Sequence, residues 1–243
     1  LSPQPTDVVF KTPGQALLDF PLAITSLLNV ERVASGTLAM PVFLDDATRA
    51  WREDGGHRVE QVAFTMTIPR GVRADRPVPV VVFGHGVMTE RRFVLAIGDA
   101  LAAKGFAAIA IDLPYHGTRT QCIAGGPISV VDPRTGDLTS LPPCQAGTTC
   151  DGVGRCVDAS GAGNRLAQWP VLNYPVASGA AFLEIEHIAN TKDHFDQAVI
   201  ELSAVVRSLQ GGAWQPVLGA REEAAHLRPE PGRVGEHVDQ VGA

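Results

Sequence analysis

The sequence predicts an α/β fold: a mostly parallel sheet with helices on both faces, antiparallel strands on its N-terminal side and a long lid-like insertion. Three observations predict it. Residues 59–68, VEQVAFTMTI, place Val62, Phe64, Met66 and Ile68 on one face at a period of two, the pattern of a half-buried strand. Two short apolar runs, 78–83 and 106–111, flank a segment whose apolar residues recur at helical spacing. Strand–helix–strand with short connections is the unit of a parallel sheet. From 113 to about 175 no period is visible, and a connection of that length inside a domain is a lid or an inserted segment.

Taken in order, the opening LSPQPTDVVFKTP is an extended, proline-punctuated lead-in. Residues 30–44 are strand-like, with Gly36 and Pro41 marking irregularity, and WREDGGHR makes a polar turn before the strand at 59–68. These two strands read as an antiparallel, hairpin-like start. The continuous run PVVVF suits a strand covered on both faces. Thr89 can cap the following helix; Phe93, Ile97 and Leu101 give its apolar face, and Gly105 closes it. FAAIAI is a second buried strand, ending at Asp112. Within the insertion, VVDPRTGDLTS reads as a small hairpin around Thr135-Gly136. A long helix returns with Phe195, Val199, Leu202, Val206 and Leu209 in one apolar stripe, capped by Thr191 or Asp193 and ended by Gly211-Gly212. AAFLEIEHIAN, just before it, reads as helical too. After Gly212 the sequence is polar and carries no buried strand.

The 243 residues suffice for one domain with a substantial core, read as a single unit over 1–243 with 113–175 as the lid. Net charge is −6 with scattered arginines, which excludes a basic nucleic-acid surface. No apolar run is long enough to span a membrane. No charged n-region and apolar h-region open the sequence, so no signal peptide is visible in it. The cysteines cluster: Cys122, Cys144, Cys150 and Cys156. An even number in a glycine-rich stretch predicts two disulfides, with three pairings open, and hence an exported protein. Zinc is the rival, but the five-residue gaps fit a zinc knuckle poorly. No metal and no cofactor are expected.

The motif that carries chemistry is FGHGVM, where a strand stops at a glycine-flanked histidine. One reading is only a strand-end turn beside a satisfied histidine. The other follows from what surrounds it. PVVVFGHG, the helix after it, FAAIAIDLPYHGTR with its D-x-x-x-H-G turn, and TKDHFDQAVIELSAVVRSLQ resemble, in that order, the α/β-hydrolase family. The resemblance is more particularly to bacterial exported lipases and esterases with a disulfide-bearing insertion. The resemblance spans roughly 30–210. It implies an ester hydrolase in which backbone N–H groups stabilise the oxyanion of a tetrahedral intermediate. One donor would be the N–H of Val87, helped by Met88, with Gly86 allowing close approach and His85 bracing the loop. Asp112 and His116 would shape the neighbouring turn.

The other half of such a site is not legible. A serine hydrolase of this type needs G-x-S-x-G at a strand-to-helix elbow, and no serine here has glycine two residues before it. Ser160 and Ser178 follow no buried strand, and Ser203 and Ser208 fall within the long helix. His57, His187, His194, His226 and His237 show no motif and read mostly as surface residues. The chain thus reads as the N-terminal part of a hydrolase acting on a small ester or lipid. Alternatively, it is a non-catalytic relative that binds through its cysteine-rich segment. Ending the sheet early would leave a strand edge open and the helical stripe uncovered, so self-association is expected.

Overall fold

The alternation of Val62, Phe64, Met66 and Ile68 does place one face of a strand in the core, each no more than 1% exposed. That strand, β3 (Arg58–Pro69), pairs along its whole length with β2 (Val30–Val42). The lead-in is itself a strand, β1 (Pro5–Lys11), laid antiparallel on β2, and a short helix α1 (Pro13–Asp19) follows it. The computed structural model describes residues 2–19, 26–72, 78–122, 128–131, 138–141, 144, 147–151, 155–161, 163–164, 178–179, 181–184, 187–212 and 214.

After β4 (Val80–Val82), a short 3-10 turn at Arg91–Val94 leads into α2 (Leu95–Ala102) and then β5 (Ala107–Ile111). The five strands form one sheet in the order β1-β2-β3-β5-β4. Only β4 and β5 run parallel; the other pairings are antiparallel. The expectation of a mostly parallel sheet is therefore corrected to a mostly antiparallel one within the α/β class. The physical reason lies in β5. Its residues are buried throughout because it is central and covered on both faces, and burial does not reveal the direction of the strand beside it.

Helices do cover both faces. Ala107, Ile109 and Ile111 join Phe64 and Met66 in a core closed by Ala198, Ala204 and Val205 of α3 (Ile188–Gln210). The alternate residues Ala108 and Ala110 pack against Val94 and Leu101 on the α2 side. The predicted cap at Thr89 lies five residues before the observed N-cap of α2, Val94, and the N–H of Arg91 goes instead to the buried carboxylate of Asp112.

α3 corrects a second expectation. The stripe Phe195, Val199 and Val206 faces outward at 53%, 62% and 40% exposure, while Leu202 and Leu209 are half-buried. Its buried face instead carries Thr191, His194, Gln197, Glu201 and Ser208 among small apolar residues. The reason is backbone satisfaction, since buried N–H and C=O groups must find partners. The Gln197 side chain accepts the N–H of Phe43 and donates to the carbonyl of Pro41. His194, fully buried and not on the surface as its sequence context suggests, has its ring nitrogens 2.8 and 2.9 Å from the carbonyls of Phe182 and Arg49. The helix starts after His187, so Thr191 is internal and brackets the backbone of Glu184 with its hydroxyl; Asp193 receives the N–H of Trp51. Residues 181–184 are not helical.

Further along, β6 (Ile128–Val131) and β7 (Leu138–Leu141) form the expected hairpin; its predicted tip at Thr135-Gly136 lies outside the described residues. β8 (Thr149–Cys150), β9 (Cys156–Val157) and β10 (Gly163–Asn164) make a second small antiparallel sheet. The cysteines pair Cys122–Cys150 and Cys144–Cys156. The sulfurs of Cys122, Cys144 and Cys156 lie within 4.8 Å of one another because the two bridges stack, not because they frame a metal. No helix among the described residues is long and apolar enough to cross a membrane.

Candidate functional site

The loops after β4 and β5 meet at the carboxyl ends of the two parallel strands, the place where open α/β sheets carry ligands. The first is Gly84-His85-Gly86-Val87-Met88-Thr89. The second is Asp112-Leu113-Pro114-Tyr115-His116-Gly117. Each has a buried polar anchor, and the anchors hold each other.

His85 is 6% exposed and joins the two loops. Its Nε2 accepts the N–H of Leu113 at 3.1 Å, which places the proton on Nδ1, facing the carbonyl of Gly86 at 3.2 Å. Burial lowers its pKa, so the ring stays neutral and keeps Nε2 as an acceptor.

Asp112 is fully buried at the end of β5. Its carboxylate accepts the N–H of Arg91 at 3.0 Å, the N–H and hydroxyl of Thr118 at 2.9 and 2.8 Å, and an ion pair from the Arg91 guanidinium. Burial pushes the carboxyl up, but the Arg91 charge and these donors outweigh it and hold it below the usual carboxylate range. Gly117 lies against it at φ +54, where a Cβ would come within 2.3 Å of the carboxylate. Only glycine fits that approach.

His116 stacks edge-on against His85 at 4.9 Å and against Phe182 at 5.0 Å. Its Nδ1 donates to the carbonyl of Pro114 at 2.8 Å, and its buried Nε2 has no partner among the described residues. Burial, with His85 beside it, pushes its pKa down to about 3. Gly179 covers Nε2 so closely that a Cβ there would sit 2.3 Å away. The hydroxyl of Ser178 accepts the N–H of Gly117 at 3.0 Å and donates to the carbonyl of Thr89 at 2.6 Å. Ser178 thus ties a distant segment to both loops. No period or motif surrounds Ser178, so this role is not legible in the sequence.

Between these anchors, residues 86–89 make a tight turn. Thr89 closes it with its N–H to the carbonyl of Gly86 at 3.2 Å, and its hydroxyl reaches the same oxygen at 2.6 Å. Met88 sits at φ +66 in the third position, the mark of a type II turn. A non-glycine residue there is strained. Val87 is exposed, and among the described residues the N–H groups of Val87 and Met88 have no protein acceptor. The turn therefore leaves two backbone donors without a protein acceptor among the described residues, on a base held by His85.

Beneath the second loop lies a buried ionic cluster that sequence reading missed. Arg119 holds Glu201 through two N–H groups at 2.6 and 2.8 Å, reaches Glu60 at 3.1 Å and donates to the carbonyl of Asp112 at 3.0 Å. A small cavity of 20 Å³ adjoins it between Glu60, Tyr115 and Gln121, room for about one water and not for an acyl chain.

No family model matches the chain, and no curated protein matches it. A cold-adapted esterase from an Arctic intertidal metagenomic library matches in structure at 23% identity and a TM-score of 0.23. That match covers 35% of this chain and 31% of that one, about a third of each, too slight a likeness to argue from.

Proposed function

We propose that this chain contributes the oxyanion side of a serine-type carboxylic ester hydrolase of the α/β-hydrolase family. The observation that carries the reading is the turn at 86–89. Two open backbone N–H groups, Val87 and Met88, stand at the carboxyl end of a parallel strand on a base locked by His85. Preorganised donors of that kind stabilise developing negative charge without reorganising at the moment of reaction. In this mechanism a serine attacks the ester carbonyl, a histidine takes and returns its proton, and the carbonyl oxygen, now negative, accepts from Val87. His85, His116 and Asp112 hold the loops and transfer no proton. No G-x-S-x-G elbow stands in the sequence, so the reading assigns the nucleophile, its acid and its catalytic histidine to no residue of this chain. The disulfides suit a protein exported to an oxidising compartment.

Fluorophosphonate labelling and p-nitrophenyl butyrate hydrolysis test the reading, on this chain and on the chain joined to its downstream-encoded sequence. The chain alone should neither label nor turn over substrate, and the longer protein should do both. Labelling of the chain at one of its own serines would put the nucleophile inside it. Silence of the longer protein would favour the second reading, a binding relative that uses the segment stapled by Cys122–Cys150 and Cys144–Cys156.

A further inference from the structure

The outward face of α3 has a regular repeat. Ile188, Phe195, Leu202 and Leu209 follow one another at intervals of seven, the last two half-buried where the row turns in against the core, and Lys192, Val199 and Val206 do the same four positions on. Seven-residue rows offset by four form the seam along which one helix packs on another. Ile188, Phe195, Val199 and Val206 of this seam are exposed, although α3 is held firmly on its other side by Gln197, Glu201 and Ser208.

The charges beside the seam choose the partner and its direction. Asp196 and Arg207 are both exposed on the same flank of the helix, about three turns apart. Arg207 has no carboxylate partner among the described residues, and Asp196 meets only Lys192 on its own helix. When two identical helices pack antiparallel about a twofold axis, like flanks face each other; in a parallel pair they do not. A twofold midway between residues 196 and 207 brings Asp196 of each copy to Arg207 of the other. The same axis lays Phe195 over Val206 and Leu209, and Val199 over Leu202. One symmetry operation satisfies the apolar rows and both charge pairs.

We propose that the outer face of α3 is a self-recognition surface, on which a second copy of this chain docks its own α3 antiparallel through an isologous contact. This rests on nothing in the catalytic reading. Asp196 and Arg207 lie on the opposite side of α3 from its bonds to the sheet, so their exchange leaves the fold in place.

Light scattering with size-exclusion chromatography on the full chain tests it through charge reversal. Wild type should be a dimer at micromolar concentration. Asp196→Arg and Arg207→Asp should each weaken it about tenfold or more, since each turns two attractive pairs repulsive. An equimolar mixture of the two variants should form a heterodimer, and the double variant D196R/R207D should dimerise again, because both restore opposite charges across the axis. A monomeric wild type overturns the proposal. So does a dimer or larger assembly that both single variants leave unchanged. A monomer in which a Val199→Cys thiol resists modification would show that the chain's own residues cover the face, and also overturns it.

Discussion

The backbone N–H of Leu113 donates to Nε2 of His85 across 3.1 Å, and this single bond ties the loop after β5 to the loop after β4. It sets the tautomer of His85, the position of Gly86 and hence the base of the turn that carries Val87. Replacing His85 with alanine leaves the Leu113 N–H buried without an acceptor and opens a hole beside His116. A loss of about 2–4 kcal/mol is expected from the two effects together. Urea unfolding measures it; a loss under about 0.5 kcal/mol would show that the loops are held elsewhere.

Asp112 should matter more than any exposed carboxylate. Asp112→Asn removes the charge that neutralises Arg91 at a fully buried site, and breaking such a pair costs about 3–5 kcal/mol. The sign of its pH dependence follows from its lowered pKa. Its contribution is full above the unfolded carboxyl value, about pH 4, and is lost as pH falls from there through the folded value. Denaturation curves between pH 5 and the acid limit should therefore show a falling limb that is weaker in the variant.

His116 gives a second, higher acid window. Its folded pKa is about 3 against an ordinary 6.5, so on acidification the unfolded chain takes the proton first. Stability should fall from about pH 6.5 downward by about 1.4 kcal/mol per pH unit from this group, with His85 adding in the same direction. His116→Asn keeps a donor for the carbonyl of Pro114 and removes the titration. Its stability between pH 6 and pH 4 should be flatter by about one proton; an unchanged slope would reject the assignment.

The glycines at 117 and 179 should be intolerant where Gly84 is not. Alanine at either puts a Cβ 2.3 Å from Asp112 or His116 on a backbone of positive φ. Each should cost about 2 kcal/mol or more. Gly84→Ala meets nothing within 4 Å and should stay within about 0.5 kcal/mol of wild type. Thermal melts of the three variants decide it.

In a protein that carries the nucleophile, Val87→Pro should cut turnover about a hundredfold with little change in stability. Val87 occupies the second position of the 86–89 turn, where proline's fixed φ is favoured, so the substitution deletes an N–H without deforming the turn. Steady-state rates beside an urea melt separate the two effects. An unaltered rate would remove Val87 from the oxyanion role.

The sequence by itself determined the elements whose cause is local. The period of two in 59–68, the apolar runs at β4 and β5, the helix between them and the clustering of four cysteines are all written in neighbouring residues, and each has its counterpart in the fold. The glycine-flanked His85 and the Asp112 turn were legible for the same reason. Tertiary structure alone decided strand direction, because the burial of β5 is the same whichever way β3 runs beside it. It decided disulfide pairing, which depends on chain path and not on spacing. It also decided which side of α3 is inside. Hydrophobic period points Phe195 and Val199 inward, but the carbonyls of Pro41, Arg49 and Phe182 and the N–H of Phe43 required polar partners, and His194 and Gln197 were turned toward them. Ser178 and Arg119 entered the site in the same way. Their partners lie 61 and 82 residues away in the chain, where no local pattern can announce them.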